Sequence, residues 1–135
     1  MNADHRGLAF MQGGVFGEQR GHMGIRSHAE HQHVELGDVV LMLGVGPDAH
    51  VASLFPEHPA LHEREASVIG VHGAPKPPPL RVSMTFPSLC AARDVWFLVS
   101  GAAKSGAVGL ALSGAGEMQA PAAGVSGIRL SLIHI

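Results

Sequence analysis

Two mainly apolar runs, at 38–43 and 95–100, stand out in the pattern of hydrophobic and polar positions along this chain. Neither run alternates with polar residues, and both are rich in valine and leucine, which is typical of strands buried on both faces of a parallel sheet. Two further strands are predicted at 67–71 and 81–86, on either side of a proline-rich connection.

Helical segments are predicted between and after these strands. Residues 87–93 are predicted as a short helix because proline suits the first helical turn, and residues 102–112 as a longer helix that two glycines weaken. Short helical turns are expected at 52–55 and 121–125, with a loop at 56–65. The alternation of strands and helices predicts an α/β fold with a mostly parallel sheet.

The two ends of the chain differ from its middle. Residues 1–37 are polar, are broken by many glycines and show no sustained helical or strand period. They are therefore predicted to be an irregular leader, which a misread frame would explain. Residues 38–129 form the predicted domain, and residues 130–135 are predicted to be a foreign tail.

Composition limits the class of protein. At 135 residues, 46% of them hydrophobic, the chain is long enough for one domain or part of one. A formal net charge of -2 does not indicate the excess of basic residues that is typical of a nucleic-acid-binding domain. No apolar run approaches the roughly 20 residues of a membrane span. The single cysteine, Cys90, cannot form an internal disulfide, which favours a cytoplasmic location.

The candidate chemistry lies in residues 44–56, which directly follow the first predicted strand. Loops at the carboxyl edge of a parallel sheet are where α/β enzymes place reactive groups. Gly44 and Gly46 would let the backbone approach a ligand closely. Asp48 and His50 supply an acid/base pair, since histidine titrates near neutrality. On residue chemistry alone, His50 is equally able to cap the turn, and Asp48 to form an Asx-type turn.

Two cations and a histidine tract complete the candidates. Lys76 precedes three prolines, and this stiff arm would present an ammonium group to a phosphate. Arg81 could add a bidentate phosphate contact or serve as a structural ion-pair partner. The tract His28-x-x-His31-x-His33 superficially resembles a metal site, but it lacks a fixed framework. No metal is therefore assigned, and a non-catalytic, histidine-rich metal-binding protein remains an alternative.

The loop Gly-Val-Gly-Pro-Asp-Ala-His-Val-Ala-Ser-Leu-Phe-Pro at 44–56 resembles the signature of the 6-phosphogluconolactonases, Gly-x-Gly-x-Asp-Gly-His-x-Ala-Ser-Leu-Phe-Pro. Residues 71–85 and 94–104 look like the second and third motifs of that family, in its order and spacing. Ala49 departs from the pattern, because the family typically has glycine there. If this position needs a positive φ, alanine strains the loop by about 1 kcal/mol.

The resemblance implies a Rossmann-like α/β fold, of which this chain would be the incomplete C-terminal half. It implies hydrolysis of a small-molecule sugar-phosphate lactone, 6-phosphogluconolactone, with no cofactor. His50 would be the catalytic histidine, with Asp48 orienting it, and Lys76 would belong to the phosphate site. The chain as given is expected to be inactive, because the N-terminal phosphate-binding elements of the family have no counterpart in it. A related sugar-phosphate isomerase or deaminase is the nearest alternative.

Overall fold

The computed structural model describes residues 8–11, 39–126 and 129–134. The strands in these ranges are β1 (Leu8–Met11), β2 (Val40–Gly44), β3 (Val68–His72), β4 (Leu80–Met84), β5 (Asp94–Val99) and β6 (Arg129–His134). The α-helices are α1 (Phe86–Cys90) and α2 (Ser105–Leu112), and 3-10 turns lie at Pro59–His62, Ala102–Lys104 and Pro121–Gly124.

The main sheet has four parallel strands in the order β1-β2-β5-β6. Its two central strands are the two apolar runs of the sequence, with Leu41 beside Val95 and Leu43 beside Phe97. All four of these side chains are buried. These four side chains share one face of the sheet, and the residues between them are half-buried. The parallel pairing of all four strands confirms the prediction of a mostly parallel α/β sheet.

The two strands flanking the prolines form a separate antiparallel ribbon, in which β3 pairs with β4 and Val71 lies beside Arg81. The predicted strands are confirmed, with ends shifted by one or two residues. The helical turn predicted at 52–55 is wrong. Val51 and Leu54 exchange backbone hydrogen bonds around a tight turn, and Ala52 has φ 51°, which no right-handed helix accommodates.

Helix predictions elsewhere are close to the structure. Helix α1 has its proline within the first turn, as expected. The segment predicted at 102–112 is divided into a 3-10 turn followed by α2. The short turn predicted at 121–125 is the 3-10 turn Pro121–Gly124.

Both ends contribute strands that the sequence pattern did not predict. Strand β1 lies within 1–37 and pairs with β2, and β6 overlaps 130–135 and pairs with β5. Arg129 Nε donates to Asp94 Oδ1 at 2.6 Å, which ties β6 to the start of β5. The domain boundaries at 37 and 130 stay predictions. Asp38 and the histidine tract at 28–33 lie outside the described residues.

The core lies against the main sheet and extends beneath the loop that follows β2. Val51, Leu54 and Phe55 of this loop are fully buried. Full burial of such a side chain contributes about 1.5–3 kcal/mol relative to exposure. The loop is thus anchored by its own apolar residues, while Asp48 and His50 stay partly exposed.

Candidate active site

The candidate site begins where β2 ends, at the carboxyl edge of the main sheet. The Gly46 N–H donates to the His50 carbonyl and the Ala49 N–H to the Gly46 carbonyl, both at 2.9 Å, which closes a tight turn. Ala49 has φ 61°, so the backbone strain expected for an alanine in this loop is present. The Ala49 carbonyl accepts from the Ala122 N–H at 2.9 Å, which fixes the turn to the Pro121–Gly124 segment.

The two glycines of the loop have different roles in the structure. A Cβ at Gly46 would lie 2.0 Å from His50 Nδ1 and 2.7 Å from Asp48 Oδ1. Glycine is therefore required at 46 so that the Asp48 and His50 side chains can fold over the backbone. A Cβ at Gly44 would meet nothing within 4 Å. A substrate contact at either glycine stays a prediction.

Asp48 and His50 are brought together as the sequence predicts, with 2.5 Å between Asp48 Oδ1 and His50 Nδ1. An ionised carboxylate only accepts hydrogen bonds, so we assign the proton to Nδ1. The lone pair is then on Nε2, the nitrogen that a general base would use. The His50 side chain is 18% exposed, so the imidazole is mostly shielded but reachable from solvent.

Lys76 joins this pair from 28 residues away, with Nζ 2.9 Å from Asp48 Oδ1. The same ammonium lies 3.4 Å from His50 Nδ1. Burial raises the pKa of Asp48, but hydrogen bonds from His50 and Lys76 outweigh burial and lower that pKa to about 2. The carboxylate is therefore charged throughout the neutral range, as an orienting partner of an imidazole must be.

Arg81 lies beside this cluster, but its guanidinium is directed at the backbone. Nε donates to the Pro78 carbonyl at 3.1 Å. Nη2 donates to the carbonyls of Lys76 at 3.0 Å and Pro77 at 2.8 Å. The predicted contact between Arg81 and a phosphate stays a prediction.

Phe55 is a site residue that the sequence reasoning missed. Its ring centroid lies 4.7 Å from that of His50, and the Arg81 guanidinium carbon lies 5.2 Å from the same ring. Phe55 thus supports the imidazole from the interior. Its place in the 44–56 signature was the available signal, but an apolar residue there reads simply as core.

The loop is also tied to the β3–β4 ribbon. The Ser53 N–H donates to Ser83 Oγ at 3.1 Å, and that hydroxyl donates to the Met84 carbonyl. Ser83 therefore holds the loop in register with β4, the strand that follows the Lys76 segment.

Within 8–11, 39–126 and 129–134, no group of three or more histidine, cysteine, aspartate or glutamate side chains is arranged to hold a metal ion. In those same ranges, no helix combines the length and apolar character that a membrane span requires.

Known proteins resemble this chain in sequence and in fold. It is 67% identical over 88 residues to a 6-phosphogluconolactonase of Streptomyces coelicolor, covering 65% of this chain and 34% of that protein. It is 49% identical over 84 residues to a human 6-phosphogluconolactonase, covering 62% and 33%. A 6-phosphogluconolactonase structure from Thermotoga maritima superposes with a TM-score of 0.59 at 28% identity, covering 70% of this chain and 41% of that one.

The chain thus spans about a third of the length of the curated relatives it matches. The family model described as glucosamine-6-phosphate isomerases/6-phosphogluconolactonase matches residues 20–133, which include the loop of Asp48 and His50 and the segment of Lys76. Since this match covers most of the sequence, the chain belongs to the glucosamine-6-phosphate isomerase/6-phosphogluconolactonase family.

Proposed function

We propose that this chain carries the catalytic loop of a 6-phosphogluconolactonase, which hydrolyses the ring ester of 6-phosphogluconolactone to 6-phosphogluconate. The observation that carries the proposal is the cluster of Asp48, His50 and Lys76 at the carboxyl edge of a parallel sheet. The relatives named 6-phosphogluconolactonase, at up to 67% identity, support this activity over that of an isomerase or a deaminase.

In the proposed reaction, His50 transfers protons and Asp48 keeps its imidazole in place. Nε2 of His50 removes a proton from water as the water oxygen attacks the ester carbonyl. The carboxylate of Asp48 accepts the Nδ1–H bond and stabilises the imidazolium that forms. When the ring C–O bond breaks, the imidazolium returns the proton to the departing oxygen, so that the histidine is neutral again.

Lys76 is proposed to bind the substrate phosphate as a point charge. One of its three N–H bonds points to Asp48, and the other two can serve a substrate anion. Nζ lies 3.4 Å from His50 Nδ1, the nitrogen that faces Asp48, so this ammonium lies beside the imidazole. A contact so close to the imidazole would contribute to the positioning of the ester as well as to affinity.

We infer a place in the oxidative pentose phosphate pathway and a cytoplasmic location for this activity. The pathway follows from the proposed substrate and product. The location is supported by the lone free cysteine in the chain, Cys90. Neither a metal ion nor an organic cofactor is required by the proton transfers above.

The proposal is tested in a chimera of the Streptomyces coelicolor relative, in which residues 39–126 of this chain replace the matching segment. We expect the chimera to hydrolyse 6-phosphogluconolactone above the spontaneous rate. His50→Asn should lower turnover at saturating substrate by about 100-fold or more, the usual contribution of a general base. The exposed His72 provides a matched control, since His72→Asn should leave turnover unchanged.

Two results would contradict the proposal. One is a folded chimera that shows only spontaneous hydrolysis. The other is a His50→Asn chimera that retains near-normal turnover, which would remove His50 from the mechanism. Conversion of glucosamine 6-phosphate by the same chimera would favour the isomerase or deaminase alternative.

A further inference from the structure

We propose that Arg81 is a positioning residue, which fixes the proline-rich segment 76–79 so that Lys76 stays against Asp48 and His50. Its effect on catalysis rests on the function proposed above, whereas its effect on the geometry of the site does not. Arg81 would thus act through Lys76, without touching the substrate.

The segment 76–79 has few backbone hydrogen bonds available to hold it in place. Three consecutive prolines follow Lys76, and proline has no N–H to donate. The Ala74 N–H donates to the Pro79 carbonyl at 3.0 Å and closes the ends of the loop. The carbonyls within the loop are bound instead by Arg81, whose Nε and Nη2 together reach three successive carbonyl oxygens.

Arg81 also contacts Phe55, the residue whose ring packs against His50. The guanidinium carbon lies 5.2 Å from the centroid of the Phe55 ring, within the range of a cation–π contact. The same fully buried ring lies against the His50 imidazole. One side chain therefore joins the backbone that carries the lysine to the ring that supports the histidine.

This arrangement requires the planar fork of arginine as well as its charge. A lysine at position 81 would keep the charge but would present a single nitrogen to three carbonyl groups. We therefore expect Arg81→Lys to loosen segment 76–79 and to separate Lys76 from Asp48, without any change in net charge.

The experiment follows the pKa of the Asp48 carboxyl by carbon-13 NMR in the 135-residue chain. The unchanged chain should titrate at about 2, and Arg81→Lys should move the value upward towards 3.8 as the Lys76 contact is lost. Arg64→Lys is a matched control. Arg64 also donates to backbone carbonyls, those of Leu61 and Glu63. Its guanidinium carbon lies 5.4 Å from the ring centroid of Phe86, so Arg64 makes the same kinds of contact as Arg81 but outside the Asp48–His50–Lys76 cluster.

A double variant tests whether Arg81 acts through Lys76. Lys76→Met alone should raise the pKa of Asp48, and adding Arg81→Lys should raise it no further. An Asp48 pKa that is unchanged in Arg81→Lys, that moves equally in Arg64→Lys, or that rises additively in the double variant would overturn the proposal.

A second measurement needs no substitution. Inorganic phosphate is titrated into the unchanged chain while the Arg81 Nε–H signal is followed by nitrogen-15 NMR. Because Nε and Nη2 are directed at carbonyl oxygens, we expect this signal to stay unchanged when phosphate binds. A saturable shift of the signal would assign Arg81 to the phosphate site and overturn the positioning role.

Activity of the chimera separates this proposal from the proposed function. Arg81→Lys should lower turnover by up to about 100-fold, as misplacement of catalytic groups does. If the chimera lacks lactonase activity but the pKa of Asp48 still responds to Arg81→Lys, the function fails and the positioning role stands. If activity is present and Arg81→Lys leaves both quantities unchanged, the positioning role fails alone.

Discussion

Asp48 should make this fold less stable as the pH falls from about 4 to about 2. Burial raises its pKa, but hydrogen bonds from His50 and Lys76 outweigh burial and set the value at about 2, against 3.8 for an unperturbed aspartate. A carboxyl whose pKa is lower in the folded than in the unfolded chain contributes its full stabilisation above the unfolded value. That contribution is lost as the pH falls through the folded value.

The size of the effect follows from the same difference. A shift from 3.8 to about 2 is about 1.8 pKa units, and at 1.36 kcal/mol per unit this gives an upper limit of about 2.4 kcal/mol. The Asp48 side chain is 33% exposed, and its lysine partner 40%. Solvent screening therefore reduces the value, and we expect a contribution of about 1 kcal/mol.

The assay is urea unfolding of the unchanged chain and of Asp48→Asn at several pH values from 6 to about 2. The pKa values of Asp94 and Glu63 are also lowered, but both residues are present in both proteins, so their effects cancel in the difference. The difference in unfolding free energy should be constant above about pH 5 and should shrink by about 1 kcal/mol on going to pH 2. A difference that stays constant or grows on acidification would refute this account of the Asp48 environment.

Two further substitutions test the packing and strain of the loop at 44–56. Ala49→Gly removes a buried methyl, which costs about 0.8 kcal/mol of stability, and it raises the entropy of the unfolded chain, which costs about 0.4–1 kcal/mol more. Against these losses, it relieves about 1–2 kcal/mol of strain in the left-handed backbone conformation. It should therefore change the unfolding free energy by less than about 1 kcal/mol in the same urea assay. Ala92 is equally buried but has no positive φ, so Ala92→Gly should lower the unfolding free energy by about 1–2 kcal/mol. Equal losses in the two variants would contradict the strain argument. Leu54→Ala should destabilise the chain by about 2–5 kcal/mol because Leu54 is fully buried, whereas Val82→Ala on the exposed face of β4 should change stability by about 0.5 kcal/mol or less.

The sequence predicts the centre of the fold better than its periphery. Strands β2 and β5 are identifiable because continuous apolar runs of that length need burial on both faces, whichever strands lie beside them. Strand β1 was missed because its four residues lie in a glycine-broken segment and owe their conformation to pairing with β2. Strand β6 was missed because residues 130–135 were interpreted as a foreign tail. The separate β3–β4 ribbon was predicted as two strands but not as a pair, since nothing in a strand's own sequence specifies its partner.

The site shows the same division between local and distant information. Asp48 and His50 are two residues apart, so their contact is nearly dictated by the turn that encloses them. The approach of Lys76 depends on how segment 76–79 folds back over that turn, which is decided by the carbonyl contacts of Arg81 and by the position of Phe55. A sequence motif can therefore assign chemistry to the lysine and a phosphate to the arginine. Only the fold reveals that the arginine's own donors are directed at the loop that carries the lysine.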